Sequence, residues 1–192
     1  MFAYNAKARS DARSQMSLDD KFIILQPARL VYQKNPSFTL KVFAEVYNLL
    51  PNAILLFAGD GDSRGALETE AVNLGISDRV YFFGFRRDIP MLLNMADLMV
   101  MPSLFEGLAI TAIEAQCSGI SCLLSENMTE ETVVSDDAMR LRLDVGLWRD
   151  TIAGIARNGY ERRDRSSEVA AAGYSLKEQI KILERIYAGE EK

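Results

Sequence analysis

The chain alternates short, wholly apolar runs with longer stretches whose apolar positions recur at helical spacing. FIILQ (22–26), AILLFA (53–58), VYFF (80–83), DLMVM (97–101) and ISCLLS (120–125) have strand length and almost no polar alternation. That pattern predicts strands buried on both faces, as in a parallel sheet. AMRLRL (138–143) adds a sixth candidate. Between them, Phe38, Val42, Val46 and Leu49 mark one helix over 36–50, with Pro36 in its first turn and Pro51–Asn52 at its end. Further helices are expected over 63–74, closed by Gly75, near 89–94, over 108–117, ended by Gly119, and over 145–158, 160–172 and 175–187. Residues 1–20 are polar and mixed in charge, which suits a short surface helix.

Strands alternating with helices place the chain in the α/β class, as a single Rossmann-like domain. It should hold about six parallel strands with helices on both faces. Its 192 residues suffice for one such domain and not for two large ones. Right-handed crossovers bring the loops that follow the strands to one rim, where ligands bind in this architecture.

Composition narrows the chemistry. The formal net charge of −5 argues against nucleic acid as a general partner, because phosphate backbones demand a basic footprint. There is no histidine, so an imidazole base, triad or metal ligand is excluded, and an epimerase or hydrolase relying on one is disfavoured. Cys117 and Cys122 match neither a redox pair nor a zinc framework and read as buried free thiols in a reducing, cytoplasmic setting. No apolar run approaches the roughly 20 residues of a membrane span, and no secretory signal opens the chain.

The polar residues of interest sit where the rim should be. Arg29 and Lys34 follow the first strand, Gly59-Asp60-Gly61-Asp62 the second, Phe83-Gly84-Phe85 the third and Glu106-Gly107-Leu108 the fourth, with Glu114 further along the same predicted helix. Two cations and a helix start suit a diphosphate, and glutamates accept hydrogen bonds from sugar and ribose hydroxyls. Each piece has a plainer rival. Ser103 to Glu106 fits the S-x-x-E capping box. Asp60 and Asp62 form a D-x-D, but the interleaved glycines favour a tight turn over a metal site. Arg157, Arg162, Arg163 and Arg165 are broken by Glu161 and Asp164 and read as a solvated helix face.

Taken in order, ARLVYQKNP, LLFAGDGD, VYFFGFRRDIP and ADLMVMPSLFEGLAITAIEAQCSG resemble the C-terminal, donor-binding domain of the retaining GT-B glycosyltransferases of family 4, the "group 1" type, with a flavour of capsular and exopolysaccharide transferases. Glu106 and Glu114 match that family's E-x7-E motif. The resemblance implies a nucleotide diphosphate sugar donor, UDP-linked by preference, and no obligatory metal. Arg29 and Lys34 would hold the diphosphate and stabilise the leaving group. Glu106 would contact the transferred sugar, amides around Gly107, Leu108 and Ala109 the phosphate or sugar, Glu114 the ribose, and Phe83 to Phe85 the base, with Gly59 and Gly61 beside the donor. Residues 1–20 would follow the interdomain linker, 21–174 form the nucleotide-sugar-binding domain, and 175–192 form a helix packing toward an N-terminal acceptor-binding domain. That domain, or a partner subunit, would be needed for transfer, and the complete enzyme would give any peripheral contact with the inner face of a membrane. Ala28 departs from the family's usual glycine before the arginine. With the acceptor half missing, a non-catalytic nucleotide-sugar-binding or interaction subunit is the alternative.

Overall fold

The computed structural model describes residues 2–189. Six parallel strands form one sheet: β1 (Phe22–Gln26), β2 (Ala53–Phe57), β3 (Val80–Phe82), β4 (Leu98–Met101), β5 (Ser121–Ser125) and β6 (Ala138–Leu141), in the order β3-β2-β1-β4-β5-β6. The order reverses between β1 and β4, the switch point at which such sheets open a crevice beyond their carboxyl ends.

Alternation along each strand divides the core in two. Ile23, Leu25, Ile54, Leu56 and Met99 point to one face. There they meet Ala12 of α1 (Ala6–Gln15), Leu92 and Leu93 of α4 (Ile89–Met95), and Ala112 and Ala115 of α5 (Ile110–Cys117). Ile24, Leu55, Phe57 and Val100 point the other way. They are covered by α2 (Pro36–Leu49) through Val42, Phe43 and Val46, by α3 (Arg64–Asn73) through Leu67 and Ala71, and by α6 (Val145–Asn158) through Trp148 and Ile152. Trp148 is fully enclosed. Its indole N–H donates to the Arg142 carbonyl at 2.9 Å, and its ring meets Phe38 edge-on at 5.3 Å. Burial on both faces is why these strands carry no polar alternation. Among the described residues, no helix is long and apolar enough to cross a membrane.

Two local expectations fail. The helix expected at 108 begins at Ile110, with Ala109 as an N-cap that offers no side-chain acceptor. The capping box is therefore not formed: Glu106 lies before the helix, and the buried Ser103 hydroxyl has no partner among the described residues. The segment expected to be a solvated helix over 160–172 is extended as far as Arg165. It then forms one short turn, α7 (Ser166–Val169), and a π-type turn over Ala170–Tyr174 with Gly173 at φ +94°.

Tertiary bonds override helix propensity there. The Tyr160 hydroxyl accepts from the Ser121 amide and donates to the Asp97 carbonyl. Arg162 donates to the carbonyls of Leu93, Asn94, Ala96 and Ser118. Arg165 pairs with Asp137 and Glu168. Gly119 (φ +59°) lets this segment approach, because a Cβ there would stand 1.9 Å from the Arg163 carbonyl oxygen. The two thiols also separate: Cys122 is buried, its thiol pushed far up by that burial, whereas Cys117 is half-exposed.

The last helix, α8 (Leu176–Tyr187), buries none of its residues. Leu176, Ile180, Leu183 and Ile186 form an apolar stripe at helical spacing, exposed to solvent. Residues 190–192, the end of the expected C-terminal segment, lie outside the described residues.

Candidate functional site

Beyond β1 the chain turns through a 3-10 turn, Tyr32–Lys34, and a left-handed Asn35 (φ 51°) before α2. Beyond β4 it passes through Pro102 to Ala109 before α5. These two loops face each other across the switch point, and the Lys34 ammonium forms an ion pair with the Glu106 carboxylate. Both side chains are about six-sevenths removed from solvent, at 15% and 16% exposed. Arg29 stands in the same cleft, solvent-exposed, and its guanidinium makes no hydrogen bond or ion pair with any described residue.

The amides at the start of α5 are also unused. Those of residues 108–111 donate no backbone hydrogen bond, and no side chain caps them. A helix start with free N–H groups, its dipole and two cations is a site for an anion.

The cleft has a volume of about 480 Å³. Of the residues expected to form a site, it is lined by Arg29, Lys34, Gly59, Phe85, Glu106, Leu108 and Ala109. Ala28 lines it too. Asp60, placed at the rim with its glycines, is on its wall as well, and residues not foreseen there include Arg86, Ile89 and Thr111. Arg86 follows directly on Phe83-Gly84-Phe85, and Thr111 occupies the first turn of α5, so the position of each beside a recognised motif was the available signal. Arg86 is held by a two-pronged contact with Asp88 and lies 5.6 Å over the Phe83 ring, an arrangement that keeps its guanidinium charged and oriented.

The remaining expected residues do not line the cleft. Gly61 serves loop packing: a Cβ there would stand 2.5 Å from the Leu30 carbonyl oxygen. Gly59 carries the same demand, with 2.0 Å to the Ala28 oxygen, so both glycines let the β1 and β2 loops touch. The Leu30 amide donating to the Asp60 carbonyl, and the Ser63 amide to the Leu30 carbonyl, complete that contact. Asp60 turns its carboxylate onto the Gly61 amide, and no group of three or more Cys, Asp or Glu able to hold a metal ion occurs among the described residues. Phe83 packs against the core, while Gly84 supplies the left-handed turn (φ 65°) that aims Phe85 outward. Gly107 is exposed and open on all sides.

Glu114 lies over the lip. It projects from the same helix face as Ile110, one turn on, into an apolar groove of about 610 Å³ whose wall shares Leu108 and Ile110 with the cleft. Its carboxylate has no hydrogen bond or ion pair with a described residue, and burial raises its pKa above the ordinary carboxylate value.

The family model for glycosyl transferases group 1 matches residues 8–184. The chain belongs to that family. The EpsF protein of Bacillus subtilis (strain 168) is 33% identical over 192 residues, covering 97% of this chain and 50% of EpsF. The UDP-Gal:alpha-D-GlcNAc-diphosphoundecaprenol alpha-1,3-galactosyltransferase of Escherichia coli is 31% identical over 109 residues, covering 55% of this chain and 28% of that protein. The chain thus spans half or less of the length of these relatives.

Among solved structures, Anabaena Alr3699/HepE in complex with UDP superposes with a TM-score of 0.82 at 19% identity, covering 97% of this chain and 54% of that one. The C-terminal domain of a glycosyl transferase group 1 family protein (LpcC) from Francisella tularensis gives 0.70 at 18% identity, covering 81% of this chain and 86% of that one. The fold is thus the Rossmann-like domain of GT-B glycosyltransferases.

Proposed function

We propose that this chain is the donor-binding half of a retaining glycosyltransferase, and that its cleft takes a nucleoside diphosphate sugar. The carrying observation is the convergence at the switch point of the Lys34–Glu106 pair, the unpartnered Arg29 and the open amide start of α5. Together they give an anion receptor with a hydroxyl acceptor beside it.

In this reading the diphosphate lies over the start of α5, between Arg29 and Lys34. As the bond from the anomeric carbon to the phosphate oxygen breaks, negative charge grows on the departing diphosphate. Fixed cations and amides stabilise it there without reorganising. Glu106 accepts from hydroxyls of the transferred sugar. Phe85, turned out by Gly84, and the Arg86 guanidinium flank the base. Glu114, one turn beyond the cleft on the same helix face, takes the ribose hydroxyls. Uridine is the base of choice, in keeping with the UDP in the HepE complex and the UDP-sugar in the Escherichia coli relative's name. The two cations and the helix start offset the diphosphate charge that a bound metal would otherwise neutralise.

The acceptor, a glycan or lipid-linked glycan of polysaccharide biosynthesis, is held by a further domain or a partner subunit. The exposed stripe of α8 supports such a contact. Alone, the chain binds donor weakly and transfers little.

Titration calorimetry with uridine diphosphate is the test. Binding in the micromolar to millimolar range, weakened on the order of 30-fold by Lys34→Ala, is expected. A folded protein that binds neither uridine nor guanosine diphosphate would refute the donor site. Reconstitution with an acceptor-binding half then separates enzyme from binding module. Transfer that disappears with Glu106→Gln supports the enzyme, and binding with no transfer supports a non-catalytic subunit.

A further inference from the structure

The Lys34–Glu106 contact joins two loops that share no element. β1 and β4 pair directly, but their register runs only through Ile24 with Leu98 and Leu25 with Met99, so the sheet itself does not hold the loops beyond. Lys34 and Glu106 are 72 positions apart in the chain. A lysine carries four rotatable bonds, and one ion pair alone does not fix two loops.

Something else sets their spacing, and one residue spans the gap twice. The Gln33 carbonyl accepts from the Leu104 amide at 2.9 Å, and its side-chain Nε2 donates to the Phe105 carbonyl at 3.0 Å. Gln33 thereby extends the pairing of β1 with β4 past the end of both strands, at the residue before Lys34 and onto the residue before Glu106. A second amide braces the same turn from below. Gln26, the last residue of β1 and fully buried, donates through Nε2 to the Lys34 carbonyl at 2.9 Å, while its Oε1 is buried with no partner among the described residues. An orphaned amide oxygen is costly in a core. Its presence there is accounted for by the bond its other end makes.

We propose that Gln33, braced by Gln26, is a positioning residue that sets the distance between Lys34 and Glu106 and so the shape of the diphosphate-sugar receptor. The inference rests on the donor-site reading above. Gln33 itself touches no ligand. It fixes the turn from which the ammonium rises and the loop from which the carboxylate descends.

The test is a double-mutant cycle on the full chain, with uridine diphosphate as the probe in calorimetry and thermal melting alongside. Gln33→Met keeps length and volume but cannot donate, and its site is half-exposed, so the melting temperature should not move. The expected result is a loss of affinity on the order of 3- to 10-fold in the wild-type background, and no further loss when added to Lys34→Ala, because the two act through one contact. A purely structural effect would lower the melting temperature or weaken binding equally in both backgrounds, and either result overturns the proposal. Unchanged affinity in Gln33→Met, with Lys34→Ala impaired, overturns it while leaving the donor site standing. No binding by the wild type removes the donor site and this inference together.

Discussion

The two rims of the sheet use their cations in opposite ways. At the amino ends of the strands, Arg9 and Arg13 from α1 and Arg162 from the extended segment converge on the last carbonyls of α4 and on Asp97. Asp97 in turn accepts the Ile23 amide at 2.7 Å, tying β1 into the knot. The guanidinium groups there are engaged by the protein's own oxygens, at the negative end of a helix. At the carboxyl ends, the Arg29 guanidinium has no partner among the described residues, Lys34 has Glu106, and the positive end of α5 faces an open cleft. Cations committed to backbone carbonyls hold the fold, whereas the cations of the cleft make no such bonds through their side chains to the described residues. Arginine content alone does not separate the two uses; hydrogen-bond saturation does.

That contrast can be broken from either rim. Arg162→Ala removes donors to four carbonyls and should cost about 3 kcal/mol of stability. For a domain of this size that is roughly 6–12 °C in melting temperature. Affinity for uridine diphosphate, measured well below that midpoint, should be unchanged; a parallel loss of both would mean the rims are not independent.

Lys34→Ala should show the reverse. Removing a charge-assisted partner of the diphosphate weakens binding by about 2 kcal/mol, near 30-fold, with a far smaller shift in melting than Arg162→Ala. Equal damage to stability would place Lys34 among the structural cations.

Arg29→Ala should weaken binding by roughly tenfold and leave the melting curve untouched, since its guanidinium has no hydrogen bond or ion pair with a described residue to lose. Raising salt should erode the wild-type affinity more than that of this variant. A salt response identical in both would remove Arg29 from the site.

The smallest effect concerns Glu114, whose carboxyl has a raised pKa through burial. The folded state therefore binds its proton more tightly than the unfolded state, so its contribution to stability falls as pH rises through and above the ordinary carboxylate range. Glu114→Gln should flatten that decline and gain a fraction of a kcal/mol at neutral pH, seen as a slightly higher melting point at pH 7 than at pH 4 relative to wild type. No pH-dependent difference between the two proteins would mean the group is as well solvated in the folded state as in the unfolded chain.

Much of this architecture was legible because its signals are local. Runs such as AILLFA have strand length and no polar face, and in the structure the whole of β2 is buried. Pro36 and Gly75 mark a helix start and a left-handed end where expected. Misreadings came where distant bonds overrule local preference. GYERRDR looks like a charged helix face, yet Arg162 and Arg165 turn inward to oxygens elsewhere in the fold. Ser103 and Glu106 match a cap by spacing, but the helix begins beyond them and Glu106 is drawn to Lys34. Of the glycines of GDG, Gly59 lines the cleft and Gly61 does not, and the contact that demands both is with the loop after β1.

From the sequence alone came the set of loops that share a rim: in a parallel sheet with right-handed crossovers, every segment after a strand emerges on the same side. Arg29, Lys34, Gly59, Phe85 and Glu106 could be gathered on that rule without knowing which strand lies beside which. The strand order itself belongs to the tertiary structure. Packing of two buried faces sets β1 beside β4, and only that adjacency brings Lys34 to Glu106 and leaves Glu114 a helical turn away, in a groove of its own. Local patterning specifies which face of an element is buried; which neighbour it is buried against depends on the whole core being filled at once.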